Sequence, residues 1–161
     1  MKILLHRLLF LVPVLAALGA APSLHAQRER FSPEDMEIIE QRWPGTKRTF
    51  TGLRYLVLKE GEKGGGTAQP GMFVAALYKG MLLNGTVFDQ SLDPKKPFKV
   101  RIGRDELIRG WEEALQKMHR GEKWLLIVPY ELGYGTLGRP PAIPQRATLV
   151  FEMELVDFGK K

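Results

Sequence analysis

From Leu53 onward, apolar and polar positions follow the short periods of β-strands more often than the longer period of helices. Tyr55-Leu56-Val57-Leu58 is a short apolar strand, and Met72 to Lys79 is a second. Between them, Gly61 to Gly71 holds three consecutive glycines and Pro70-Gly71, which reads as a loop. Asn84-Gly85 is a hairpin turn signal. Phe98, Val100 and Ile102 alternate with Lys99 and Arg101, so one face is expected to be buried and the basic face wet. Trp124 to Val128 is a continuous apolar run, as in a central strand. Leu149, Phe151, Met153 and Leu155 alternate with Val150, Glu152 and Glu154 in a last strand. One helix interrupts the series: Leu107, Ile108, Trp111, Leu115 and Met118 share a helical face, and Gly121 is placed to stop it. Many strands and one amphipathic helix predict an α+β fold, an antiparallel sheet wrapped around that helix.

The N-terminal part has a different pattern. Lys2, His6 and Arg7 form a basic start, Leu8 to Leu18 is nearly all apolar, and small residues follow at Gly19, Ala20 and Ala21. This is the layout of a cleavable secretory signal peptide, residues 1–26, with a cut after Ala26 expected and one after Ala21 as the alternative. The apolar run Leu8–Ala21 is 14 residues and contains Pro13. At about 1.5 Å per residue it reaches roughly 21 Å, short of a bilayer core about 30 Å thick, so a stable membrane anchor is not expected. Residues 27–52 form a lead. Within it, Ser32-Pro33-Glu34-Asp35 reads as a helix start, with a capping serine, proline at the first helical position and acids at the positive end. Met36, Ile39 and Trp43 give that helix an apolar stripe, and Pro44-Gly45 ends it. Three turns are marginal alone, so this helix is expected to lie against the domain or a partner.

Composition removes several chemistries. The chain has no cysteine, which excludes disulfides, a thiol nucleophile and a thiolate zinc site. Cleavage after Ala26 would remove Lys2 and Arg7 and no acid, taking the net charge from +6 to +4. The basic cluster Lys95, Lys96, Lys99, Arg101 and Arg104 has acids nearby at Asp93, Asp105 and Glu106, and reads as a solvated strand face rather than a nucleic-acid site. Gly133 to Gly138 matches G-x-G-x-x-G, but Arg139-Pro140-Pro141 follows, and two prolines prevent the helix that a pyrophosphate site needs. His119 is the sole histidine after the expected cut and reads as a helix-end residue facing solvent. Glu112-Glu113 reads as solvation of the outer helix face. Asn84-Gly85-Thr86 is a glycosylation sequon that its turn role already explains.

One connection is anomalous. Pro129 to Ala147 is 19 residues without a convincing element, and loops that long in a compact domain are usually functional. Its glycines and prolines make it stiff, and Tyr130, Tyr134 and Ile143 are apolar groups that a solvated tether does not need. Tyr78, Phe88, Phe98, Trp111, Tyr134 and Phe151 lie on several elements. They are either core or, with Asp89 and the long loop, the lining of a concave apolar pocket.

Tyr78-Lys79-Gly80, Gly85-Thr86-Val87-Phe88-Asp89-Gln90-Ser91, Pro97-Phe98, Leu107-Ile108-Arg109-Gly110-Trp111-Glu112-Glu113, Tyr134-Gly135 and Ala147-Thr148-Leu149-Val150-Phe151 resemble the FKBP-type peptidyl-prolyl cis–trans isomerases. The resemblance runs from Leu53 to Phe158, about 106 residues, leaving 159–161 as a tail. It implies a half-open antiparallel β-sheet curled around one short helix. It also implies a proline pocket of Tyr78, Phe88, Asp89, Phe98, Leu107, Ile108, Trp111, Tyr134, Ile143 and Phe151. Trp111 would be the floor, Tyr78, Phe98 and Phe151 the walls, and Pro129–Ala147 a flap. The Ile108 amide and the Tyr134 hydroxyl would hold the peptide. Leu107 stands where the family often has valine, and Pro94 and Ala142 where bulkier or charged rim residues are frequent.

The implied reaction is rotation about an X-Pro bond, which needs no cofactor, metal or nucleophile. The implied partners are proline-containing peptides and unfolded exported proteins, with macrolides as inhibitors and a monomer as the working form. The bacterial periplasm is the expected location, with secretion or an ER lumen as alternatives. The competing reading is a catalytically weak peptide- or macrolide-binding module, or a holdase using the same pocket.

Overall fold

The computed structural model describes residues 29–62 and 64–160. The signal-peptide reading of residues 1–26, with both cleavage sites, lies outside them. The chain forms helix α1 (Pro33–Arg42) and strands β1 (Lys47–Arg48), β2 (Arg54–Lys59), β3 (Phe73–Leu82), β4 (Val87–Ser91) and β5 (Phe98–Arg101). Helix α2 (Arg109–Leu115) and strands β6 (Lys123–Val128) and β7 (Leu149–Gly159) follow.

All seven strands join one antiparallel sheet in the order β1-β2-β6-β7-β3-β4, with β5 also paired to β3. The last strand is therefore an inner one. Its ladder with β3 runs from Phe73↔Gly159 to Leu82↔Leu149. Asn84-Gly85 makes the expected turn between β3 and β4: Gly85 sits at φ +93°, and the Thr86 N–H donates to Asn84 Oδ1 at 2.9 Å.

The sheet buries apolar side chains on both faces. On the concave face Leu126, Val128, Leu149, Phe151 and Met153 pack with Trp111, Ala114 and Leu115 of α2. On the opposite face Leu125, Ile127 and Val150 pack with Phe31 and Ile39 of the N-terminal lead. This explains the unbroken apolar run in β6, since alternate side chains enter different cores. The expected choice for α1, domain or partner, resolves to the domain. Ser32 caps it as expected, accepting from the Asp35 N–H at 3.1 Å, and Ile39 is fully buried. Two polar ties fix it further. Thr148 Oγ1 donates to Asp35 Oδ2 at 2.6 Å, and Arg54 Nη2 pairs with Glu29 Oε2 at 2.9 Å.

The central helix is shorter than its sequence pattern. Leu107 and Ile108 precede it, with Ile108 the extended N-cap residue, and Met118 lies beyond its last turn. All three still pack into the concave core. The pattern marks one apolar face, but only seven residues of it are helical. His119 consequently does not end a helix: its backbone pairs with Thr67, and its Nδ1 lies 3.4 Å from Glu122. Glu112 and Glu113 are not idle solvating groups either. Glu112 accepts from the Gly103 N–H at 3.0 Å, and Glu113 accepts from the Thr51 hydroxyl. In the basic cluster, Lys99 is exposed, but Arg101 is partly buried and donates to the Gly71 carbonyl at 2.8 Å.

Candidate active site

A cavity of about 490 Å³ opens on the concave face. Nine of the ten residues named from sequence line it: Tyr78, Phe88, Asp89, Phe98, Leu107, Ile108, Trp111, Tyr134 and Phe151. The tenth, Ile143, does not. It is 3% exposed and belongs to the core under the flap, where it exchanges two backbone hydrogen bonds with Arg139.

Trp111 is the hub. Its ring meets Tyr78, Phe98 and Phe151 edge to face, with centroids 4.7, 6.0 and 5.2 Å away and interplanar angles near 80°. Each such contact is worth about 0.5–1.5 kcal/mol beyond area burial, and together they fix the orientation of the floor. The ring can sit there because Gly110 precedes it. A Cβ on Gly110 would lie 2.7 Å from Val128 Cγ1, so glycine lets α2 rest directly on β6. Phe88 packs against Phe151 at 5.7 Å, nearly perpendicular. Gly80 makes room for that pair: a Cβ there would lie 2.8 Å from a ring atom of each.

A register shift supplies two adjacent wall residues. In the β3–β4 ladder, Gly80 faces Asp89 while Met81 faces Val87, which leaves Phe88 as the extra residue of a bulge. Successive residues of a regular strand point to opposite faces. Here Phe88 and Asp89 both line the cavity. Asp89 Oδ2 accepts from the Tyr78 hydroxyl at 2.7 Å. Burial, then the hydrogen bond and charge of Asp89, hold the Tyr78 phenol well above its ordinary ionisation range. The site therefore presents a neutral phenol locked to a carboxylate, beside an aromatic floor.

Several polar groups of the lining remain uncommitted, the buried Trp111 Nε1 among them. Among the described residues, neither the Ile108 N–H nor the Tyr134 hydroxyl has a hydrogen-bond partner, and both residues line the cavity. The cavity can thus surround an apolar ring and offer hydrogen bonds to a backbone at its mouth.

The Pro129–Ala147 connection is partly ordered by its own bonds. Tyr130–Leu132 forms a 3₁₀ turn, and Arg139 and Ile143 close a tight loop containing the cis Pro140-Pro141 bond. A turn stands where a phosphate-binding glycine loop would need a helix. Asp105, Glu106, Arg109, Gly133 and Arg139 also line the cavity, and the sequence reading did not place them there. Asp105 and Glu106 adjoin Leu107 in sequence, which was the available hint; nothing local pointed to Arg139.

Residues 64–156 match the sequence model of the FKBP-type peptidyl-prolyl cis-trans isomerases. FK506-binding protein 1A of Aspergillus fumigatus is 43% identical over 91 residues, covering 56% of this chain and 81% of its own length. The FK506-binding protein of Neisseria meningitidis is 40% identical over 102 residues, covering 63% and 94%. Mouse peptidyl-prolyl cis-trans isomerase FKBP2 is 48% identical over 84 residues, but the match spans only 60% of that protein and 52% of this chain. A crystal structure of a peptidyl-prolyl cis-trans isomerase from Pseudomonas syringae superposes with a TM-score of 0.68 at 32% identity, covering 79% of this chain and 92% of that one. The matched span exceeds half of the chain and carries strands β3 to β6, most of β7, the Trp111 floor and the walls around it, so this chain belongs to the FKBP-type peptidyl-prolyl cis–trans isomerases, an enzyme family.

Proposed function

We propose that this isomerase accelerates X-Pro rotation in exported proteins as they fold, in the bacterial periplasm, with the Trp111-floored cavity as its active site. The observation that carries the reading is the combination of that apolar floor with the uncommitted Ile108 amide and Tyr134 hydroxyl. The N-terminal basic, apolar and small-residue layout supports export, and the absence of cysteine suits an oxidising compartment.

The mechanism follows from the inventory. Amide resonance raises a barrier of about 18–20 kcal/mol to rotation about the C–N bond. The twisted transition state loses that resonance and part of its charge separation. An apolar enclosure therefore disfavours the planar, polar ground state relative to the twisted one. Each ~1.4 kcal/mol of this difference is about tenfold in rate. Trp111 receives the proline ring, Tyr78, Phe98 and Phe151 enclose it, and Leu107 shapes the entrance. Ile108 N–H and Tyr134 Oη align the peptide backbone. Asp89, oriented by Tyr78, sets the field around the twisting carbonyl. The same enclosure would accept a macrolide of the kind named in its relatives.

The test is isomerisation of a short proline-containing peptide by the wild-type chain, Phe88→Ala and Asp89→Val. Wild-type acceleration and a loss of about tenfold or more in each folded variant are expected. Unchanged rates in both variants would remove the assignment, and tight peptide binding without turnover would favour the binding-module alternative. The compartment is checked separately, by mass spectrometry of the mature N-terminus in fractions of the native host.

A further inference from the structure

The cavity does not end at its rim. Asp105 and Arg109 line both it and an adjoining depression of about 670 Å³, whose wall also includes Thr51. The residue beside Thr51, Phe50, lines a third depression of about 930 Å³ between the N-terminal lead and the base of the flap. The first two share Asp105 and Arg109, and the second and third are lined by residues adjacent in the chain, Thr51 beside Phe50 and Leu132 beside Glu131, which sets Phe50 past the start of α2 from the Trp111 floor.

Phe50 stands out among these residues. It is 84% exposed, more than any other large apolar side chain among the described residues. Its turn is also fixed. The Thr49 N–H donates to the Leu53 carbonyl at 2.9 Å and the Gly52 N–H to the Thr49 carbonyl at 3.1 Å. The Thr49 and Thr51 hydroxyls lie 2.9 Å apart, and Thr51 donates to Glu113 on α2. A phenyl ring is thus held in water on a turn tied to the helix that carries Trp111. Its burial by a partner would be favourable and would need no rearrangement of the turn.

We propose that Phe50 anchors the unfolded client polypeptide outside the proline cavity. This rests on reading that cavity as the X-Pro site. The occupant follows from continuity: a chain seated in the cavity and leaving past Asp105 and Arg109 is led to Phe50, where it places an apolar side chain against the ring. A short peptide ends before reaching it.

The test compares wild type, Phe50→Ser and Phe50→Leu on two substrates, a proline tetrapeptide and an unfolded protein whose refolding is limited by proline isomerisation. Phe50→Ser is expected to match wild type on the tetrapeptide. On the refolding protein its kcat/KM is expected to fall about tenfold, mainly through KM, as on truncating one aromatic anchor. Phe50→Leu should recover most of that loss. Equal refolding activity of wild type and Phe50→Ser overturns the proposal, and so does a parallel loss on both substrates, which would make Phe50 merely structural. Concentration-dependent self-association lost in Phe50→Ser, with refolding activity intact, overturns it in favour of a second copy of the chain. A wild type inactive on the tetrapeptide overturns the reading of the cavity itself, and the anchor with it.

Discussion

Asp89 illustrates what a single position requires. Its carboxylate sits beside an aromatic floor because Tyr78 donates to it and because the bulge at Phe88 turns it inward. Alternation alone would have put Phe88 and Asp89 on opposite faces, so their joint placement was legible through the family resemblance and not through periodicity. Tyr78 carries a pH consequence. An acid whose folded-state pKa is raised adds stability that is complete below its unfolded value, here 10.0, and is lost as pH rises through the folded value. In an absorbance titration of the native protein, Tyr78 should ionise later than free tyrosine, and Tyr78→Phe should remove that late step. An unchanged late step in the variant would refute the assignment. Gly80 is the other telling residue. Gly80→Ala must displace Phe88 or Phe151, since the new carbon would lie 2.8 Å from a ring atom of each. It should lower peptide isomerisation about tenfold and cost about 1–3 kcal/mol of stability in urea unfolding.

At the scale of elements, α1 is more than an appendage. It covers Leu125, Ile127 and Val150, and without it that face of the sheet would be an exposed apolar patch. Ile39 is the centre of this contact and is fully buried. Ile39→Ala should cost about 2–5 kcal/mol in equilibrium unfolding, the range for a cavity left by a large apolar side chain. The folded variant should keep its kcat/KM on a tetrapeptide, because α1 lies across the sheet from the cavity. A stability loss under 0.5 kcal/mol would mean that the helix is only loosely docked. Most of the strands and the existence of both helices were readable from spacing, capping and turn residues, but the two-residue β1 in the lead was not, being too short to show a period. The length of α2 was not. An apolar residue in the extended cap and another in the following turn bury as well as helical ones, so Leu107, Ile108 and Met118 extended the pattern past the helix. Ile143 is the same lesson in the flap. Its apolar character is consistent with burial in general and does not say whether it faces the cavity or the core beneath.

For the molecule as a whole, charge ties the lead to the sheet. Burial works against ionisation of Glu29, but the Arg54 guanidinium and the Arg30 and Phe31 amides outweigh it and hold its carboxyl below the usual 4.5. A lowered acid contributes stability that is present above its unfolded value and lost as pH falls through the folded one. Glu29→Gln should therefore lower the neutral plateau, leave the acid end nearly unchanged and so flatten the acid limb of the stability profile, measured by urea unfolding between about pH 2 and 7. An acid limb as steep as that of wild type would show that other carboxylates set it.

The place of β7 has a consequence for the order of events in folding. It is the last strand made, yet it lies between β6 and β3 and is paired to both. Before Leu149 is available, β2 with β6 and β3 with β4 and β5 are separate ladders with no seam between them. Pairings so distant in sequence close slowly. A growing chain therefore has no complete sheet to form until β7 arrives. The wall that Phe151 gives the cavity, and the seam between the two ladders, come into being only when the C-terminal strand slides into the gap left for it.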